Sequence, residues 1–147
     1  MKLRLAFELD FPDYRFSKVL HQLIATNGRL SRREAAAMVH LTENSFSRTF
    51  RETHGRSYRH LQLEVRMRIA ACLLKHTSLD VSAISAFLEY QEVRKFQEAF
   101  RRFYGKSPTT FRRSGRAPDF ILRINGVLHA DCRIVLARLG PSPAAYK

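Results

Sequence analysis

The sequence predicts a mainly α protein built from two related helical units, and three observations carry that prediction. First, a stretch occurs twice: residues 46–61 read FSRTFRETHGRSYRHL and residues 96–111 read FQEAFRRFYGKSPTTF. At an offset of 50, Phe46, Phe50, Arg51, Gly55 and Ser57 fall on Phe96, Phe100, Arg101, Gly105 and Ser107. Second, the aromatic pair in each copy is spaced i, i+4, which puts both rings on one helix face. A glycine then follows, the residue favoured just past a helix end. Third, the segment between the copies, about 58–75, carries an apolar stripe of Leu61, Val65, Ile69, Cys72 and Leu73 at helical spacing. Two copies are too few for a solenoid, which needs three or more repeats.

The elements follow in order. Residues 3–11 alternate apolar and charged, with Leu3, Leu5, Phe7, Leu9 and Phe11 on one side, the period of a half-buried strand. Pro12 breaks it, and Asp13 caps a helix over about 14–26 with Phe16, Val19, Leu20, Leu23 and Ile24 on its apolar face. A second helix starts at Ser31, where Ser31 and Glu34 have the spacing of a capping box. Its small residues Ala35, Ala36 and Ala37 let another helix approach. After a tight turn over 39–41, Thr42 caps a third helix over about 43–54. Two short helices joined this way form a helix-turn-helix.

The connecting helix then runs over 58–75, roughly 27 Å at 1.5 Å per residue. Arg66, Arg68 and Lys75 lie off its apolar stripe, and Lys75 and His76 suit the helix dipole at its end. Asp80 caps a short helix over 81–88 with Val81, Ile84 and Phe87 or Leu88 facing in. The second aromatic-pair helix covers about 93–104, and Ser107-Pro108 starts a last short helix ending near Arg113. In the tail, Asn125-Gly126 favours a tight hairpin turn between 120–124 and a run from 127 to 136. Leu128, Ala130, Cys132, Ile134 and Leu136 alternate along that run; a helix over 128–139 fits the same residues. The hairpin is expected to pair with the N-terminal strand as a small sheet, or to pair between chains.

Composition narrows the function. The chain has 147 residues, 45% of them hydrophobic, enough for a core. Lys and Arg number 26 against 13 Asp and Glu, a net charge of +13, which predicts an anionic partner, most simply nucleic acid. No apolar run approaches the ~18–20 residues of a membrane span, and the acid-bearing, alternating N-terminus does not read as a signal peptide. Two cysteines, Cys72 and Cys132, sit in apolar settings and read as reduced, buried thiols of a cytosolic protein. There is no CxxC pair, no Gly-rich phosphate loop and no HExxH, and the six histidines are scattered. No catalytic residue, metal ligand or cofactor is therefore expected.

The first unit LSRREAAAMVHLTENSFSRTFRETHG (30–55), the pattern Arg66-x-x-x-Ala70-x-x-Leu73-Leu74 and the second unit VSAISAFLEYQEVRKFQEAFRRFYGKSPTTFRR (81–113) together resemble the DNA-binding domain of the AraC/XylS family of bacterial transcription regulators. The resemblance covers about 14–113. It implies a seven-helix tandem helix-turn-helix joined by a long central helix, with the second helix of each pair in the major groove. The chain then divides into a strand-like arm (1–12), a first helix-turn-helix subdomain (13–57), the connecting helix (58–77), a second subdomain (78–113) and a C-terminal extension (114–147). Successive major grooves on one face repeat every ~34 Å, a span that a ~27 Å rod and its flanking turns can bridge.

The residues expected on DNA follow from the outward register of the two second helices. In the first they are Asn44, Ser47 and Arg48, with Thr42, Ser45 and Arg51 nearer the backbone. In the second they are Arg94, Lys95, Gln97 and Glu98, with Arg101 beside phosphate. Arg pairs well with guanine and Asn with adenine, and a carboxylate accepts from cytosine N4. Ser107 and Thr109 are expected to donate to phosphates at a helix start.

Three departures from the family pattern stand out. His40 and Glu89 occupy turn positions that usually hold Gly, where positive φ costs a side chain ~1 kcal/mol or more, so slightly altered turns are expected. Gln91 and Glu92 stand where a Ser-type cap is usual, and Glu98 replaces a basic or small residue. The leading expectation is a sequence-specific transcription regulator, an activator, bound to double-stranded DNA and touching RNA polymerase. It would act in the cytoplasm at the nucleoid, as a monomer or a weak homodimer joined through the terminal β element. Two alternatives stand beside it: a helix-turn-helix scaffold turned to protein–protein interaction, motivated by Glu89, Glu92 and Glu98, and a non-specific nucleoid-type binder.

Overall fold

The computed structural model describes residues 4–9, 14–115, 119–124 and 127–137, with side chains over 15–115 and 133–137. The chain is mainly helical. Helices α1 (Tyr14–Ala25), α2 (Arg32–Met38) and α3 (Glu43–His54) precede the long α4 (Tyr58–His76). Helices α5 (Val81–Phe87), α6 (Val93–Tyr104) and α7 (Pro108–Arg113) follow it. Strands β1 (Arg4–Leu9), β2 (Asp119–Ile124) and β3 (Val127–Asp131) form a sheet in the order β1-β2-β3, and α8 (Cys132–Ala137) follows β3. β1 runs parallel to β2, with Arg4 opposite Asp119, while β3 is antiparallel to β2, with Ile124 opposite Val127. The Asn125-Gly126 turn and the Asp13 cap lie outside the described residues.

The tail differs from the alternating reading of 127–136: the strand stops at Asp131 and a helix takes over. Its apolar residues, with Ile134, Val135 and Leu136 consecutive at the end, suit a strand and a helix alike. Packing favours the helix, because among the described side chains, 133–137, the one brought fully into the core is Val135, which is off the alternating set. It joins the core cluster as α8 packs against α4.

One core serves both units, with α4 as its axle. Residues on most faces of α4 are buried, among them Tyr58, Leu61, Met67, Ile69, Ala71 and Leu74, so its buried surface is much wider than a single stripe. In the first unit, Phe16 packs edge-on against Phe50 (5.6 Å between centroids), and Phe46 packs edge-on against Tyr58 (5.2 Å). In the second, Phe96 and Phe100 sit 6.0 Å apart and Phe100 meets Phe111 edge-on at 5.2 Å. All four Phe residues of the repeat are fully buried. Rings in such tilted and edge-on pairs add ~0.5–1.5 kcal/mol each beyond area burial. Cys72 is buried in the same core.

The helix ends show why the elements begin and stop where they do. Ser31 and Glu34 complete the capping box, with Glu34 N donating to Ser31 Oγ (3.1 Å) and Ser31 N donating to Glu34 Oε2 (3.0 Å). Thr42 Oγ1 accepts from Ser45 N at 3.2 Å. α3 and α6 both end on glycines in the left-handed region, Gly55 at φ 71° and Gly105 at φ 74°. The two turns expected to be altered keep the left-handed geometry: His40 has φ 57° and Glu89 φ 60°. Tertiary packing therefore holds two side-chain-bearing residues where glycine is favoured. Among the described residues, no helix is long and apolar enough to cross a membrane.

Candidate nucleic-acid interface

Burial of the aromatic pairs fixes what α3 and α6 show to solvent. With Phe46 and Phe50 at zero exposure, Asn44, Arg48 and Arg51 stand exposed on the outer side of α3, and Ser45 and Ser47 are half-buried beside them. With Phe96 and Phe100 equally buried, Arg94, Lys95, Gln97, Glu98 and Arg101 are all exposed on α6. The repeat thus presents two polar helix faces of matching register. Their chemistry differs, since Arg48 in the first unit corresponds to Glu98 in the second.

The starts of the two helices also differ. Thr42 is exposed, and its oxygen caps α3. At α6 the capping position is Glu92, which makes no side-chain cap hydrogen bond. Arg94 is instead engaged along its own helix, donating from Nε to Glu98 Oε1 at 3.1 Å. Ser107 caps α7: it accepts from Thr110 N (3.2 Å) and donates to Thr110 Oγ1 (2.9 Å). Thr109 next to it is exposed.

Behind these faces lies a set of contacts that positions them. Arg56, just past the end of α3, donates to Glu64 Oε2 at 2.8 Å, and Arg68 donates to Glu64 Oε1 at 2.9 Å. Glu64 is buried, so the end of α3 is tied to α4 by a carboxylate held between two guanidiniums. Tyr58 donates its hydroxyl to Leu30 O at 2.6 Å, and burial pushes its pKa well above the usual phenol value. Lys75 does more than end α4: its Nζ donates to the carbonyl oxygens of Arg112 (3.4 Å), Ser114 and Gly115 (3.2 Å), which terminate α7. Burial lowers its pKa, and Lys106 adds to the effect. Arg112 returns the contact, donating to Leu74 O at 2.9 Å. An open groove of about 840 Å³ between α4 and α6 is rimmed by Arg59, Arg66, Lys95 and Arg102 over an apolar floor that includes Leu63 and Phe103.

The sequence reading placed the outward faces of α3 and α6 and did not find these positioning contacts. Arg56, Glu64 and Arg112 show no periodic pattern, and the partners of Lys75 and Arg112 lie more than thirty residues away. Among the described residues, no group of three or more His, Cys, Asp or Glu side chains is placed to hold a metal ion.

Comparison with known proteins gives a consistent result. A helix-turn-helix domain family matches residues 35–114. The Msm operon regulatory protein of Streptococcus mutans is 27% identical over 96 residues, which is 65% of this chain and 34% of that protein. The chain therefore spans about a third of the length of that relative. The C-terminal domain of AraT, a response regulator from Geobacillus stearothermophilus, superposes with a TM-score of 0.61 at 27% identity, covering 69% of this chain and 85% of that one. The DNA-binding domain of AdpA, solved in complex with a target DNA, superposes with a TM-score of 0.62 at 20% identity, covering 68% and 91%.

Proposed function

The chain belongs to the AraC-type helix-turn-helix family, and from that premise we propose that it is a sequence-specific, double-stranded-DNA-binding transcription regulator that acts as an activator. α3 and α6 enter successive major grooves on one face of the duplex. The observation that carries this reading is the shared register of the repeat, in which buried Phe pairs leave two exposed polar faces on one chain with a net charge of +13. Arg48 and Asn44 read bases in the first groove, and Arg94, Gln97 and Glu98 read them in the second. Ser47 joins the first set. Lys95 joins the second set, and Thr42, Ser45, Arg51, Arg101, Ser107 and Thr109 serve the phosphates, which position the helices without specifying sequence. The 19 residues of α4 span ~28 Å at 1.5 Å per residue, commensurate with the ~34 Å repeat of the groove.

The protein works in the cytoplasm at the nucleoid and needs no cofactor. Once on DNA it touches RNA polymerase, and it is a monomer or a weak homodimer joined through the sheet formed by the chain ends. A salt titration of binding tests the core of this reading. Log affinity should fall linearly with log salt, by ~0.9 for each phosphate neutralised, with a clear preference among duplexes. A flat salt response would instead favour the protein-interaction scaffold, and a steep slope with no preference would favour a non-specific nucleoid binder.

A further inference from the structure

Glu89 sits at the turn of the second unit, immediately before its reading helix, in a left-handed conformation where glycine would be at ease. Its carboxylate accepts from Arg29 Nη1 at 3.2 Å. Arg29 lies two residues before Ser31, the cap of α2 in the first unit, so this ion pair joins the entrance of one helix-turn-helix to the turn of the other. The Arg29 guanidinium is held in place on two other sides. Its Nε donates to Thr26 O at 2.7 Å, and it lies 5.8 Å from the centre of the Phe87 ring. Alongside, Arg66 of α4 donates from Nε to Gly28 O at 2.8 Å and lies 5.4 Å from the centre of the Tyr90 ring. Gly28 is required there, because a Cβ would come within 2.6 Å of Arg66 Cγ and its φ is +82°. Two guanidiniums thus stitch the segment 26–29 of the first unit to the segment 87–90 of the second.

We propose that the Arg29–Glu89 pair is a strut that sets the half-site spacing this chain accepts, a positioning role that rests on the reading of α3 and α6 as two DNA-reading helices. One base pair added or removed between half-sites shifts the second groove by ~3.4 Å along the axis and rotates it by about 35°. The units must then reorient about the seam, which stretches or breaks the pair. Arg29 and Glu89 side chains are 33% and 61% exposed. A pair this open contributes little to global stability. A bias of its size, about two- to fivefold, is instead expected in the discrimination between spacings.

The test measures the affinity of the full chain for duplexes carrying its selected half-sites at the preferred spacing and at one base pair more and less. In Glu89→Gln, the ratio of preferred to off-register affinity should fall about two- to fivefold. The added charge difference cancels in that ratio because it acts on every duplex alike. Arg29→Gln, which breaks the same pair from its other end, should lower the ratio as well. The gap between wild type and Glu89→Gln should also narrow as salt is raised across the range in which binding is still measurable. A wild-type ratio in Glu89→Gln or in Arg29→Gln overturns the strut. If the wild-type chain binds none of the duplexes, the DNA-reading premise itself is wrong and the strut's role goes with it.

Discussion

Arg94 donates its Nε hydrogen to Glu98 Oε1 at 3.1 Å, one turn further along α6. The two residues correspond to Asn44 and Arg48 of α3. In the free protein the exposed face of α6 therefore keeps its foremost arginine occupied by a carboxylate of the same helix, whereas the matching pair of positions on α3 holds Asn44 and Arg48 and carries no acid. Arg94 and Glu98 are 84% and 51% exposed, and exposed i,i+4 pairs are worth only ~0.3–0.5 kcal/mol. Under the proposed function, DNA breaks the pair at little cost and engages both partners.

We predict that Glu98→Gln tightens DNA binding by about fivefold at low salt, because a carboxylate near the phosphates is removed and Arg94 is released. The selected motif should lose preference at one position of the second half-site, where the carboxylate would have accepted from a cytosine amino group. Fluorescence anisotropy at several salt concentrations measures the first effect, and repeated selection the second. Weaker binding on loss of the carboxylate would mean that Glu98 contributes net contacts to DNA.

Arg48→Ala should cost ~1–3 kcal/mol in binding and relax preference at one position of the first half-site, leaving the second unchanged. Arg48 is exposed and lies on the side of α3 away from Phe46 and Phe50, so its loss should leave the melting temperature near that of the wild type. Unaltered affinity and preference in this variant would retire Arg48 as a base reader.

The two reading helices start differently, and their stability should show it. Thr42→Ala removes the hydroxyl that caps α3 and should destabilise the protein by ~1 kcal/mol. Glu92→Ser supplies α6 with the side-chain cap that it lacks and should stabilise by a comparable ~1 kcal/mol. Urea midpoints of the two variants are the comparison to make. A destabilised Glu92→Ser protein would show that the Glu92 charge at the helix start outweighs a neutral cap.

Tyr58→Phe removes the bond to Leu30 O, but that carbonyl also accepts from Gln62 Nε2 at 2.9 Å and is not orphaned. The expected loss is therefore ~1 kcal/mol, the net worth of a neutral hydrogen bond. The pH dependence has a definite sign. The folded-state pKa of Tyr58 is raised, so its stabilising contribution is complete below the ordinary phenol pKa of ~10 and declines as pH rises above it. Denaturation profiles between pH 9 and 11 should slope downward more steeply for the wild type than for Tyr58→Phe.

How much of this was legible in the sequence depends on the range of each signal. The bounds of α3 and α6 could be read directly, since the Phe pairs, Thr42, Gly55 and Gly105 all act within one or two helical turns. The end of β3 could not, because the run 127–136 suits two periods and only the burial of Val135 against α4 selects one. The width of the buried surface on α4 was underestimated, as a helix packed on several sides loses the single stripe that marks an amphipathic one. The links from Glu89 to Arg29 and from Lys75 to the end of α7 were invisible: they join residues 60 and 39 positions apart through long, flexible side chains. In the sequence Glu89 is only a departure from the usual glycine, and its partner emerges only when the two units are in place.

The central claim is that one chain reads two unlike half-sites, and selection of bound duplexes from a random library by the purified protein at near-physiological salt tests it most directly. The account predicts an enriched motif of two different half-sites about 10 base pairs apart, centre to centre. Enrichment of a single half-site, or of none, would contradict it.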